Sequence, residues 1–357
     1  LVLVFVLLLV LVVVGRMAAS GGGKCLRSLP KAELHLHLEG AMRPETLTEL
    51  CAKHGIERPA DTRGKQFSDF GPFAACYMAV CECLREVTDL KRLVMEVAQD
   101  AKSSGACWVE PALSIELYCH RFGGLESTLQ LLLEAAIAAE AETGVGMGFI
   151  VAAERHLTPD TALQLAQKVR SFVLGDKAWL PYTPELREGE GKAEPSRRRG
   201  IVGFGLHSAE PGNPPEPFLE AMRVACDAET GLLALPHAGE LPPCPGGGPA
   251  SVRFCVEVMG APRIAHGVLA IEDPALVAEL AAKGICLDVC PSSNLLLKAV
   301  PSMVAHPLPD LLRAGVPCTI NSDDPLLFGP NLLEEFETCR AQLGLSDEEL
   351  AGCAATS

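Results

Sequence analysis

Aromatic residues are scarce in this chain, at 5% of 357 positions with two Trp and three Tyr. A core with so few rings has to be filled mainly by Ala, Leu and Val. With 48% of residues hydrophobic, that composition suits many helices packed around a sheet and excludes disorder throughout. Positive charge is also in short supply: 30 Lys and Arg stand against 45 Asp and Glu, a formal net charge of -15. A surface of that sign repels the phosphates of nucleic acid and of anionic lipid, so neither nucleic acid nor a membrane is expected as a partner of the folded domain. No CxxC pair occurs, which excludes a cysteine-ligated zinc ribbon. The 15 cysteines are scattered through long apolar segments, as at Cys76, Cys81, Cys83, Cys107, Cys255, Cys286 and Cys290. In a chain with an ample core they read as small buried apolar residues in a reducing compartment, and a cytoplasmic location is expected.

Long apolar runs are missing too, with one exception at the start. The stretch "LVLVFVLLLVLVVV" holds 14 apolar residues before the first charge, Arg16. A spanning helix needs roughly 20, and no basic segment precedes the run as it would in a signal peptide. Residues 1–28 are expected to be a leader apart from the fold. Met17 is preferred as the working start, and residues 1–16 as an error of the gene model rather than a cleaved leader or anchor. Residues 29–357 read as one domain, since single α/β barrels commonly exceed the size at which other folds divide.

Between Glu33 and Pro325 eight short apolar, strand-like runs occur: 33–40, 107–114, 146–155, 201–210, 232–240, 263–268, 285–294 and 317–325. Each is followed by polar, Gly or Pro residues. The segments between them carry apolar residues at i, i+3, i+4 spacing, as in "LESTLQLLLEAAIAAEAE" and "DPALVAELAAKG". Strand then helix, eight times, is the pattern of a (β/α)8 TIM barrel. One segment breaks the rhythm. Residues 175–200 are rich in charge, Pro and Gly and read as an exposed, mobile loop insertion, with Arg197 to Arg199 as a solvated cluster rather than a docking patch.

Ionisable residues gather where the runs end: His35, His37, Glu39, His237, Glu240, His266, Asp323 and Asp324. Barrel enzymes assemble their sites on that face. Side chains two apart on a strand share a face, so His35 and His37 point the same way. Three imidazoles and a carboxylate suit zinc with one position left open, and His35, His37, His237 and Asp323 would supply them. Zinc in such a site lowers the pKa of water to about 7. Glu240, three residues after His237, is then placed to carry protons, and His266 to orient the attacking oxygen or act as a fifth ligand. Four further histidines, His54, His120, His156 and His306, read as structural or exposed. A cytidine-type zinc site needs P-C-x-x-C after its H-x-E; "PCPGG" at 243–247 lacks the second cysteine.

The motifs "LPKAELHLHLEG" (29–40), "HAGE" (237–240), "RIAHGV" (263–268), "VCPSSN" (289–294) and "NSDDPLLFG" (321–329) resemble, in order, those of the adenosine deaminase family of metal-dependent aminohydrolases. The resemblance implies that His35, His37, His237 and Asp323 bind one zinc ion. It further implies that Glu240 protonates purine N1, that His266 and Asp323 steer hydroxide onto C6, that Asp324 hydrogen-bonds N7, and that Glu39 faces the sugar or whatever occupies its place. The expected reaction is hydrolytic deamination of adenosine and 2'-deoxyadenosine. Adenine, aminofutalosine or N6-methyl-AMP are alternative substrates, and a non-catalytic barrel acting as a binding scaffold is the alternative outside the class.

Two departures from the family pattern stand out. Where many members end the fourth strand in "LAGDE" or "LGGDE", with glycine backbone near purine N3, this chain reads "LHSAE". That puts His207 and Ser208 at the purine edge and narrows the pocket. The following "PGNPPEPF" resembles microbial and plant-like members, some acting on free adenine or on modified nucleosides. The chain also stops at "EELAGCAATS", where the family continues into a final helix, so truncation at the C-terminus is expected.

Overall fold

Every residue of Lys31–His37 (β1) is buried, as a strand covered on both faces by protein requires. The computed structural model describes residues 25–175, 179–182, 196–241 and 248–357. In it β1 pairs in parallel with Ala106–Leu113 (β2), which in turn pairs with Gly146–Met147 (β3) and Phe149–Glu154 (β4). Trp179–Tyr182 (β5) and Ser196–Arg199 (β6) form a separate antiparallel ribbon. Parallel pairing resumes through Ile201–His207 (β7), Leu233–Ala238 (β8), Arg263–His266 (β9), Cys286–Val289 (β10) and Cys318–Ile320 (β11), in the spatial order β1-β2-β4-β7-β8-β9-β10-β11. Each of the eight expected runs overlaps a strand of the barrel, with β1 and β2 beginning slightly earlier than expected, and the fold is the expected (β/α)8 barrel.

Closure between β11 and β1 is made differently from the other seven joints. A single bridge links Leu36 to Asp323, with His37 N donating to Asp323 O (2.9 Å) and Asp323 N to His35 O (3.2 Å). Below it, the Asn321 side chain stands in for a neighbouring strand: its Oδ1 accepts from Leu34 N (2.8 Å) and His35 N (3.1 Å). The final helix, Asp347–Thr356, packs near this seam, and Ala32 N donates to Ser357 Oγ at 2.9 Å.

The connecting helices follow from local signals. Leu125–Thr143 and Pro274–Lys283 fill the two periodic stretches noted above. The second begins where Asp273 accepts from Ala275 N and Leu276 N, and stops at Gly284, whose φ of 65° is in the left-handed region. The main core lies between the barrel and its helices. Each large apolar side chain fully buried there contributes roughly 1.5–3 kcal/mol. Inside the barrel, Ala112, Ile150 and Leu235 form a small separate cluster. Counting by twos along their strands places Ser114, Glu154 and His237 on the same inward face, above that apolar plug.

The 175–200 segment, expected to lack structure, contains the β5–β6 ribbon at its two ends; its middle, 183–195, lies outside the described residues, as do residues 1–24, most of the expected leader. All 14 cysteines among the described residues are free thiols. No helix among the described residues is long and apolar enough to cross a membrane.

Candidate active site

At the C-terminal mouth of the barrel four strands bring their last residues together. His35 and His37 come from β1, His237 from β8, His266 from β9, and Asp323 follows β11. The ring centroids of His35 and His237 are 4.8 Å apart, those of His35 and His266 4.5 Å, and those of His37 and His237 5.3 Å. Asp323 Oδ1 lies 3.4 Å from His35 Nε2 and 3.3 Å from His37 Nε2. All five side chains are buried.

The backbone bends unusually to achieve this. Only four described non-glycine residues have a left-handed φ, and three belong here: Ser208 (75°), His266 (64°) and Asp323 (63°). Each such conformation costs on the order of 1–3 kcal/mol and persists only when the surroundings hold it. Glycine is required beside them. A Cβ on Gly40 would lie 1.6 Å from Asp324 Oδ1, and one on Gly239, within the "HAGE" turn, 2.6 Å from Val252 Cγ2.

Several buried donor atoms here have no hydrogen-bond partner: His35 Nε2, His37 Nδ1 and His237 Nδ1. Ligand atoms of His35, His37 and His237 lie within 4.8 Å of one another, as do those of His35, His266, Cys290 and Asp323, and those of His37, Asp323 and Asp324. Orphaned imidazole nitrogens beside a carboxylate fit a borderline cation such as zinc. Cys290 is a poor contributor, because burial and then the charge of Asp323 push its thiol well above the ordinary range.

Charge is distributed to match. Burial is the largest single influence on His35 and opposes its protonation, but Asp323 and Asp288 together outweigh it and lift its pKa. For Asp323, burial is likewise overcome by His35 and His37, which hold the carboxyl well below its usual range. His237 and His266 are pushed down by burial and by neighbouring imidazoles, so both are neutral, as metal ligands and hydrogen-bond donors need to be. Glu240 goes the other way: burial, Asp323 and Glu210 drive its pKa well above a carboxylate's ordinary value. Burial and Asp323 do the same to Asp324.

Surrounding groups hold these side chains in place. His35 Nδ1 donates to Asp288 O at 3.1 Å, which turns Nε2 toward the cluster. Leu308 N donates to His306 Nδ1 (3.1 Å), so the neutral His306 ring carries its hydrogen on Nε2 and donates it to Asn294 Oδ1 (3.2 Å). The Asn294 amide then donates to His266 Nδ1 (3.1 Å), leaving a hydrogen on His266 Nε2, 3.4 Å from Glu240 Oε1. His306, expected to be structural or exposed, is buried and sets the tautomer of a site residue. The "VCPSSN" motif contained Asn294, but nothing in the sequence joined it to His306. Glu210 and Arg155 were also missed. Glu210 accepts from Gly239 N and Glu240 N at 3.1 Å each, and Arg155 donates to His237 O, so both pin the turn that carries Glu240.

A cavity of about 280 Å³ opens above the cluster. Glu240, His266, Asp323 and Asp324 line its floor, Phe70, Phe73 and Met78 form an apolar wall, and Ser114, Glu154, His156 and Ser208 a polar one. No Lys or Arg is among the described lining residues. Ser208 is where the sequence places it, facing the cavity. Glu39 is not: it is fully buried behind Tyr77, whose hydroxyl donates to Glu39 Oε2 at 2.7 Å and itself lines the cavity. The expectation that Glu39 faces a sugar therefore meets an interposed ring.

Imidazole and carboxylate groups able to hold a metal ion, gathered at the C-terminal mouth of a parallel barrel, stand where barrel enzymes assemble their active sites. The profile of the adenosine deaminase family matches residues 30–175 and 185–357. A Streptomyces virginiae protein provisionally described as an adenosine/adenine deaminase is 37% identical over 340 residues, 93% of this chain and 91% of that one. The crystal structure of adenine deaminase from Arthrobacter aurescens superposes with a TM-score of 0.77 at 30% identity, covering 92% of each chain. An amidohydrolase from Burkholderia ambifaria, solved with bound Zn, has the same fold, with a TM-score of 0.76 at 23% identity over 95% of this chain and 89% of that one. The chain belongs to the adenosine deaminase family, and is a deaminase of adenine- or adenosine-like purines.

Proposed function

We propose that the chain hydrolyses the 6-amino group from a neutral 6-aminopurine with one zinc ion, and that free adenine, rather than the expected adenosine, is its preferred substrate. The observation that carries the reaction is the cluster of His35, His37, His237 and Asp323 beside a cavity lined by two buried carboxyls, Glu240 and Asp324. Zinc held by the first four would supply an activated water near neutral pH.

Glu240, kept protonated by burial and by its acidic neighbours, is suited to deliver a proton to N1 and so make C6 electrophilic. Asp324 is kept in its acid form by the same causes and can donate to N7, an acceptor. His266, with its hydrogen fixed on Nε2 by Asn294, donates toward the incoming oxygen and orients it. Addition of water at C6 and loss of ammonia leave a ring carbonyl. Three observations support the base over larger substrates: Tyr77 covers Glu39, the described cavity wall carries no cation for a phosphate, and an adenine deaminase is among the similar structures. Adenosine and 2'-deoxyadenosine form the second reading, favoured by a cavity of about 280 Å³, roomier than a lone base needs.

The test is ammonia release from zinc-reconstituted protein given adenine, adenosine, 2'-deoxyadenosine, aminofutalosine and N6-methyl-AMP. Adenine should have the highest kcat/KM. No ammonia from any of them, with one zinc bound per chain, would overturn the reading.

A further inference from the structure

We propose that Glu154 is the specificity-determining residue for the free base, its carboxyl group pairing with both N3 and N9–H of the purine. The inference rests on the adenine reading above. Glu154 ends β4, is 5% exposed, and lines the cavity, yet its Oε1 has no hydrogen-bond partner. A carboxyl oxygen buried at a cavity wall without a partner loses the full benefit of hydration unless a ligand restores it.

Strand order gives the direction. A purine held at N1 by Glu240, after β8, and at N7 by Asp324, after β11, presents its N3–N9 edge away from the cluster. The polar wall formed by Ser114, Glu154, His156 and Ser208, at or just after the ends of β2, β4 and β7, faces that edge. Of these only Glu154 carries its donor and its acceptor on two side-by-side atoms, matching a donor and an acceptor one atom apart: an acid hydroxyl donates to N3 while the carbonyl oxygen accepts from N9–H. Burial raises the Glu154 pKa to about 7, against a hydrogen bond with Ser114, so the acid form is available at neutral pH. Its other oxygen lies 3.7 Å from His156 Nδ1, which itself contacts Ser208 Oγ at 3.2 Å, so the group is steadied at the wall with one oxygen unsatisfied. A nucleoside has no N9–H and would place its sugar against this carboxyl.

The experiment compares adenine with 9-methyladenine, in which the N9 hydrogen is replaced, on zinc-loaded wild type, Glu154→Leu and Glu154→Gln, with zinc content and Tm measured for each. Wild type should favour adenine by at least about 100-fold in kcat/KM, since a site built around a hydrogen bond rejects analogues lacking it. Glu154→Leu should lower kcat/KM for adenine about 10- to 100-fold, mainly through KM, and cost 9-methyladenine much less, so that the preference for adenine falls. Glu154→Gln should retain most activity, because the amide offers the same donor and acceptor. Equal use of adenine and 9-methyladenine by wild type, or a leucine variant that keeps the wild-type preference, overturns the role of Glu154 alone. Preference for adenosine over adenine in wild type overturns the base reading instead.

Discussion

Replacing Gly40 by alanine tests how tightly the site is built, because the residue itself does no chemistry. An added Cβ would fall 1.6 Å from Asp324 Oδ1, 2.5 Å from its Cγ and 2.8 Å from its Cβ. Rotating the carboxyl alone does not relieve contacts with all three atoms. The Asp324 backbone is fixed as well, since its carbonyl accepts from both Leu327 N and Phe328 N at 2.9 Å. The side chain must therefore leave its rotamer, at a cost of about 0.5–1.5 kcal/mol, and give up its bond to N7, worth about 1–3 kcal/mol. At about 1.4 kcal/mol per decade this predicts a fall in kcat/KM for adenine of roughly 10- to 1,000-fold. Zinc content should be unchanged, because none of the four proposed ligands is displaced directly. The assay is a double-mutant cycle. Gly40→Ala should cost little further in an Asp324→Ala background, because the second change removes what the first collides with. Equal losses in both backgrounds would show that Gly40 acts by some route other than Asp324, and the reasoning would fail.

Glu240→Gln should keep zinc at one per chain but reduce turnover by at least about 100-fold, measured by metal analysis and ammonia release; surviving activity would contradict its proton-carrying role. His237→Ala should lose stoichiometric zinc while the apo fold persists, checked by metal analysis and circular dichroism. Burial raises the Glu335 pKa from 4.5 to about 8, so the folded chain holds a proton there that the unfolded chain releases. Its contribution to stability is full below about pH 4.5 and is lost as pH rises toward 8. Glu335→Gln should accordingly leave Tm nearly unchanged at pH 5 and raise it relative to wild type at pH 8, as thermal unfolding can show.

Much of the architecture was visible in the sequence, because strand, helix and turn signals are local. The alternation that marked Glu33–Gly40 or Ile201–Glu210 as strand-like needs only neighbouring residues, and parity along β1 is enough to put His35 and His37 on one side. Tyr77 shows where this stops. It lies on the helix Phe70–Cys81, and nothing in that helix announces that one ring will cover Glu39. The link from Leu308 through His306 and Asn294 to His266 joins residues on three elements, each ordinary by itself. Glu154 escaped notice because it is a single carboxylate next to Arg155 near the end of its run, and only the barrel's curvature brings it to the cavity with Ser114 and Ser208. The ribbon at Trp179–Tyr182 and Ser196–Arg199 was hidden by the charge and Pro content of the segment that contains it.

The seam between β11 and β1 gives the proposed cation a second role. Two of its donors, His35 and His37, stand on the first strand, while Asp323 follows the last, and the backbone between those strands is joined by one bridge and the Asn321 amide. An ion gripped from both sides would act as a rivet between the two ends of the sheet. Barrel integrity and ion affinity would then be one linked equilibrium, adding about 4.1 kcal/mol of stability at a free concentration a thousandfold above Kd. Stripping the ion with a chelator should then lower Tm and speed amide exchange first along Ala32–His37 and Cys318–Asp323, so that scarcity of metal is felt as a shorter-lived protein as well as a slower enzyme.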